Sequence, residues 1–173
     1  MDNKLSKILY LNEAVSEIKG EKVEELKEVK IDIAINAFLP NSYISQNENR
    51  IDFYTKVSKL KTDEELQNLL QDTCNRYGVA PKSVEQLCYV GLIKNLAQKI
   101  GVRNIKLDEF GCKITFYTEV DDKIYSYLSK TTIEFVLANE KMPIITLRKQ
   151  PDMQILQQNL IKFLINCLQI KNK

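Results

Sequence analysis

Residues 83–107, SVEQLCYVGLIKNLAQKIGVRNIKL, change their period part-way through. Up to Ile100 the apolar residues Val84, Leu87, Cys88, Leu92, Leu96 and Ile100 recur every three or four positions, which places them on one face of a helix. Pro81 and the Ser83-Val84-Glu85-Gln86 box supply its start, and Gly101 supplies a stop that tolerates a left-handed backbone. Past Gly101 the helical spacing disappears. Asn104–Leu107 reads as a short strand, and Lys113–Tyr117, Thr132–Ala138 and Pro143–Arg148 follow with the Ile, Phe, Tyr and Thr content that suits a half-buried pleated surface.

The same reading extends in both directions. Upstream, Thr62-Asp63-Glu64-Glu65 is a capping box: the threonine hydroxyl accepts from a backbone N–H one turn in, while Glu65 reaches back toward the cap. The helix it opens buries Leu66, Leu70, Cys74 and Tyr77 and ends at Gly78. Before it, the stretch from Arg50 places Phe53, Val57 and Leu60 on one helical face, after a polar loop that follows Leu39-Pro40. Val29–Ile35 alternates as a strand, preceded by a Glu- and Lys-rich connector over 21–28. A first helix carries Leu5, Ile8, Leu11, Val15 and Ile18 and stops at Gly20. Downstream, Asp121–Ser129 predicts a short helix between two strands. From Asp152 a last helix presents Leu156, Leu160, Phe163, Leu164, Cys167 and Leu168. Helices and strands are grouped more than strictly alternated. The expectation is therefore an α+β fold, with helices packed on a mainly antiparallel sheet in a single domain that has an N-terminal linker helix.

Composition narrows the chemistry. The 173 residues are 44% hydrophobic and 28% charged, with 25 Lys+Arg against 23 Asp+Glu. That is the balance of an ordinary globular protein, and a net charge of +2 is too small to imply a nucleic-acid partner. The four cysteines, Cys74, Cys88, Cys112 and Cys167, form no CxxC pair, and the chain has no histidine to complete a Cys/His zinc site or a Ser-His-Asp triad. Small buried hydrophobes in a reducing compartment are the expectation for these thiols. The five glycines form neither GxxxxGK[ST] nor GxGxxG, so no phosphate-cradling loop is legible. Glu64-Glu65 and Asp121-Asp122 suit the first turns of helices, where the dipole favours negative charge, better than acid/base work. Tyr77, Phe116, Phe135 and Phe163 fall on expected core faces. No run reaches the length of a membrane span and no signal peptide is evident, so a cytoplasmic protein is expected, with no catalytic residue, cofactor or metal of its own.

The order of several short motifs carries more information. Ile31-Asp32 through Ala37-Phe38-Leu39-Pro40-Asn41-Ser42-Tyr43-Ile44, then Arg50-Ile51 and Phe53-Tyr54, resembles the opening signature of the C-terminal domain of bacterial transcription-repair coupling factors. Asn75-Arg76-Tyr77-Gly78, Pro81, and Ala97-Gln98-Lys99-Ile100-Gly101-Val102-Arg103-Asn104-Ile105 continue the resemblance in order. Leu11-Asn12-Glu13-Ala14-Val15 to Lys19-Gly20 is similar to the family's helix from the helicase module. Residues 1–28 are thus expected to be the linker helix and charged connector, and 29–173 the C-terminal regulatory domain.

The resemblance implies a function for the parent and a role for this part. Family members displace stalled RNA polymerase from damaged double-stranded DNA by ATP-driven translocation and recruit the excision-repair protein UvrA. ATP and magnesium serve only the upstream motor. The terminal domain packs intramolecularly on the UvrA-binding module and masks it, an autoinhibition that involves acidic residues on the helix before the Arg-aromatic-Gly turn. By position these are Asp72 and Asn75, with Glu65 as a further candidate; Asn75 keeps a hydrogen-bonding group but lacks the family's charge. Three residues apart, Asp72 and Asn75 share a face opposite Leu66, Leu70 and Cys74. The alternative is an auxiliary DNA-binding module that contacts phosphates through Lys56, Lys59, Lys61, Lys94, Lys99 and Arg103. Neither reading calls for a membrane or a small-molecule substrate. Pro40, Tyr43, Arg50 and Tyr54 are also expected to fix a turn against a helix.

Overall fold

The computed structural model describes residues 28–33, 35–108, 111–117, 119–120, 122–130, 135–138, 144–148, 150 and 152–172. The expected helix over residues 5–18 lies outside the described residues. The element order is β1 (Lys30–Ile33), α1 (Asn47–Ser58), α2 (Asp63–Tyr77), α3 (Lys82–Ile100), β2 (Val102–Asp108), β3 (Gly111–Phe116), α4 (Asp122–Leu128), β4 (Phe135–Ala138), β5 (Ile144–Arg148) and α5 (Met153–Lys171). The chain clusters into two compact units; residues 35–95 lie in the first, and 27–34 with 96–173 form the second.

The first unit is helical. Its centre is α3 up to Asn95, where every residue from Val90 to Asn95 is buried. Gly91 is there because of α1: a Cβ on it would run into the Val57 side chain. One turn later Asn95 Nδ2 donates to the carbonyls of Val57 (3.1 Å) and Leu60 (3.0 Å), so carbonyls at the end of α1 are capped by a side chain of α3. Phe53, Val57 and Leu60 are buried, as the spacing predicts, and Tyr54 is buried beside them. The helix begins at Asn47, three positions before the expected Arg50, and Arg50 N–H bonds the Gln46 carbonyl at 3.1 Å.

The second unit is a five-stranded sheet in the order β1-β2-β3-β5-β4. β1 runs parallel to β2, while β2–β3, β3–β5 and β5–β4 are antiparallel, so the α+β, mainly antiparallel expectation holds. The register aligns Ile31, Ile105, Ile114 and Ile145 in one row across four strands, and Leu107, Cys112 and Leu147 in the next. All seven are buried. Strict alternation would put Val102 and Ile105 on opposite faces, yet both are buried; an irregularity in the β2–β3 register between Val102 and Asn104 resets the phase, and Arg103 points to solvent. The last helix, α5, lies against β3 and buries Leu156, Leu160, Phe163, Leu164 and Cys167. Asp152 caps it by accepting from Gln154 N–H at 2.9 Å. Beside it, α4 contributes Tyr127, whose ring stands 6.4 Å from that of Phe163 and whose hydroxyl accepts from Asn166 at 2.9 Å. No helix among the described residues is long and apolar enough to cross a membrane.

Candidate functional site

The candidate residues sit on α2, and the signature residues Tyr43, Arg50 and Gly78 hold the end of that helix in place. At its start, the Thr62 hydroxyl accepts from Glu65 N–H at 3.1 Å. The Glu65 carboxylate returns to the backbone N–H of Lys61 at 2.7 Å, one residue before the cap itself. At its end Gly78 adopts φ 85°, and its N–H bonds the Cys74 carbonyl at 2.9 Å. The Gly78 carbonyl accepts from the Tyr43 hydroxyl at 2.7 Å, and the Tyr43 ring meets Tyr77 edge-on at 6.1 Å. Partial burial, and then the neighbouring Cys74 thiol, push the Tyr43 phenol up to about 12, so it remains a donor at any physiological pH.

Tyr43 is itself fixed from behind. Arg50 is buried, and its guanidinium donates to three carbonyls of the preceding loop: Leu39 at 2.9 Å, Pro40 at 3.1 Å and Ile44 at 2.9 Å. The turn-fixing reading of Arg50 and Tyr43 is thereby accounted for by their contacts.

On this frame α2 turns one face outward. Glu65, Asn68, Asp72 and Asn75 follow at intervals of three and four, and all four are exposed. The opposite face holds Leu66 fully buried, with Leu70, Cys74 and Tyr77 half-buried. Thr73 is also buried, a position the apolar spacing passes over; its hydroxyl is satisfied by the Leu69 carbonyl at 2.6 Å.

The structure brings Asp72 to the wall of an open cleft between α1 and α2. Phe53, Leu69, Ile44, Thr73 and Tyr77 line it with Asn49, Asp52, Lys56 and Arg76. Glu65 and Asn75 are not part of that lining. Glu65, moreover, already has a structural partner in the Lys61 N–H. Across the cleft, Lys56 Nζ lies 2.8 Å from an Asp52 carboxylate oxygen, an exposed pair one turn apart on α1. Sequence reading names neither Asn49 nor Asp52 as a site residue, and takes Arg76 only as part of the Asn75-Arg76-Tyr77-Gly78 signature. The available signals were the four-residue spacing of Asp52 and Lys56, and the position of Arg76 one turn after Asp72.

The cationic set is corrected by the structure at one position. Lys94 is 3% exposed, on the inward face of α3, and presents no charge to a phosphate. Lys56 is occupied by Asp52. Lys56, Lys59 and Lys61 belong to the first unit, and Lys99 and Arg103 to the second.

A family model described as the TRCF domain matches residues 33–127, more than half of the chain. The chain belongs to the TRCF domain family. Curated relatives agree: a transcription-repair-coupling factor of Bacillus subtilis (strain 168) is 33% identical over 115 residues, 66% of this chain and 10% of the relative. One from Staphylococcus haemolyticus (strain JCSC1435) is 36% identical over 98 residues, 56% of this chain and 8% of that protein. Another, from Escherichia coli (strain K12), is 25% identical over 111 residues, covering 61% and 10%. This TRCF domain chain thus spans about a tenth of the length of these relatives. Its fold is similar to a solved structure described as the C-terminal domain of transcription-repair coupling factor, with TM-score 0.66 and 24% identity over 84% of this chain and 95% of that one. The matched segment contains the whole of α1 and α2, and with them the cleft.

Proposed function

We propose that this TRCF domain is a regulatory interaction domain of a longer transcription-repair coupling factor, without turnover of its own. In this reading the exposed face of α2 packs on the parent's UvrA-binding module and masks it, in the cytoplasm, until the parent engages a stalled RNA polymerase on damaged DNA. ATP-driven translocation belongs to the parent's motor.

The observation that supports the reading is a polar helix face presented by a helix fixed at both ends. Asp72 is exposed, has no cation within 4 Å among the described residues, and stands at a cleft with an apolar floor. Preorganisation of this kind favours recognition, because little side-chain and backbone freedom is lost on docking. Asp72 is the main contact, Asn75 a neutral hydrogen-bonding one, and Glu65 a lesser one because its carboxylate already holds the helix start.

Titration calorimetry of the 173-residue chain with a UvrA-binding module tests this. Asp72→Ala is expected to weaken binding about ten-fold or more, in the range for the loss of a charge-assisted contact at an interface. An affinity indifferent to Asp72→Ala, or no binding by the folded wild-type chain, defeats the reading.

A further inference from the structure

We infer that the docking surface continues across the cleft onto α1, where Asp52 is a second carboxylate for the partner's cation and Lys56 is an internal competitor that occupies it at rest. The inference rests on the proposed function and deepens it; it concerns residues that no motif singles out.

Four features of the cleft lead to it. Its floor is apolar and aromatic, with Phe53 and Ile44 buried and Leu69 and Tyr77 half-buried. Its two walls each carry one carboxylate and one cation, Asp52 with Lys56 on α1 and Asp72 with Arg76 on α2. The two carboxylates are in different states. Asp72 has no cation within 4 Å among the described residues, whereas Asp52 holds Lys56 at 2.8 Å. That ion pair is half-exposed, 47% for Lys56 and 57% for Asp52, so it is cheap to break.

A site of this shape suits one kind of side chain. A guanidinium has an apolar stem and flat faces for the Phe53 and Tyr77 side of the cleft, and its forked donors meet a carboxylate at the cleft mouth bidentately. An ammonium is a point charge with no flat face for the aromatic side and no fork for a carboxylate. When such a guanidinium enters, Asp52 exchanges Lys56 for the partner, and Lys56 swings into solvent. The exchange sets the affinity below what the two carboxylates would otherwise provide, which suits a mask that must come off.

The effects are opposite in sign for two residues of a single ion pair. Lys56→Gln should tighten binding of the UvrA-binding module about two- to five-fold, the range for removal of an exposed ion pair. Asp52→Asn should weaken it, and the double variant should bind like Asp52→Asn alone, because Lys56 acts only through Asp52. Thermal melts of each variant establish that all are folded, as expected for substitutions at exposed positions. If Lys56→Gln leaves affinity unchanged or weakens it while Asp72→Ala still weakens binding, the inference fails and the proposed function stands. If the gain from Lys56→Gln persists undiminished in the Asp52→Asn background, competition for Asp52 is overturned. If Asp72→Ala has no effect, the masking reading itself fails.

Discussion

Arg50 carries a positive charge into the first unit and spends its donors on the carbonyls of Leu39, Pro40 and Ile44. A loop that folds back on itself leaves such carbonyls without helix or sheet partners, and burying them unpaired costs about 1–3 kcal/mol each. The guanidinium serves all three; the Pro40 carbonyl also accepts from the Tyr43 and Ile44 N–H groups at 3.2 and 3.4 Å, so the loss of Arg50 falls on Leu39 and Ile44. Arg50→Ala is therefore expected to lower unfolding stability by roughly 3 kcal/mol, as read by urea denaturation. Arg50→Lys should recover only part of this, because an ammonium lacks the planar fork. A loss below about 1 kcal/mol for the alanine variant would show that water replaces the arginine. The residue was visible in the sequence as part of an ordered signature. Its work was not, since the three acceptors are backbone atoms and leave no mark on residue identity.

At the scale of elements, α3 decides the first unit. Gly91 costs helix stability by its own propensity, about 1 kcal/mol against alanine. It is retained where α1 comes closest, with the Val57 side chain in the space of a Cβ and Val57 itself fully buried. Gly91→Ala sets that propensity gain against overpacking of about 1–3 kcal/mol, and the balance is expected to be a net loss in thermal or urea unfolding. A stabilised Gly91→Ala protein would mean that α1 shifts freely on α3. Here sequence and structure divide the information clearly. The helix period, the capping box at Thr62 and the stop at Gly78 are local, so spacing alone predicts them. The approach of α1 to α3 is not local, and a glycine inside a helical pattern reads only as a weak position until its neighbour is known. The irregularity that buries both Val102 and Ile105 is a similar case, because it arises from pairing with β3 and not from β2 itself.

At the scale of the whole molecule, the buried thiols give a pH signature. Burial pushes Cys88, Cys112 and Cys167 from the ordinary value of 9.0 up to about 12, with small additions from Glu85 at Cys88 and Asp108 at Cys112. A thiol whose folded-state value is raised contributes stability that is fully present below its unfolded value and is lost as pH rises through the folded one. The urea midpoint should thus show no thiol-dependent change between neutral pH and about 9, then fall toward about 12. Replacement of Cys112 by alanine should make that alkaline fall shallower; an unchanged slope would assign it to other groups. At neutral pH a thiol-reactive dye should label the half-buried Cys74 first and the other three only on unfolding.

The α+β class was legible in the sequence because helical and pleated faces impose different periods, and because turn residues mark the ends of elements. The family was legible because its motifs keep their order along the chain. Cys88 and Cys167 were legible as core residues from their place on apolar helical faces; Cys74, read the same way, is only half-buried, and the buried Cys112 stands just ahead of the expected strand. Tertiary structure alone decided which polar residues share a surface. Asp52 and Asp72 stand twenty positions apart in the chain, on different helices, and only the packing of α1 against α2 puts both at one cleft. It also decided that Lys94 is a core residue, since a long side chain on a helix is read as solvated until the elements around it are known. Periodicity records which face of an element is apolar; it carries no record of what lies beyond that face.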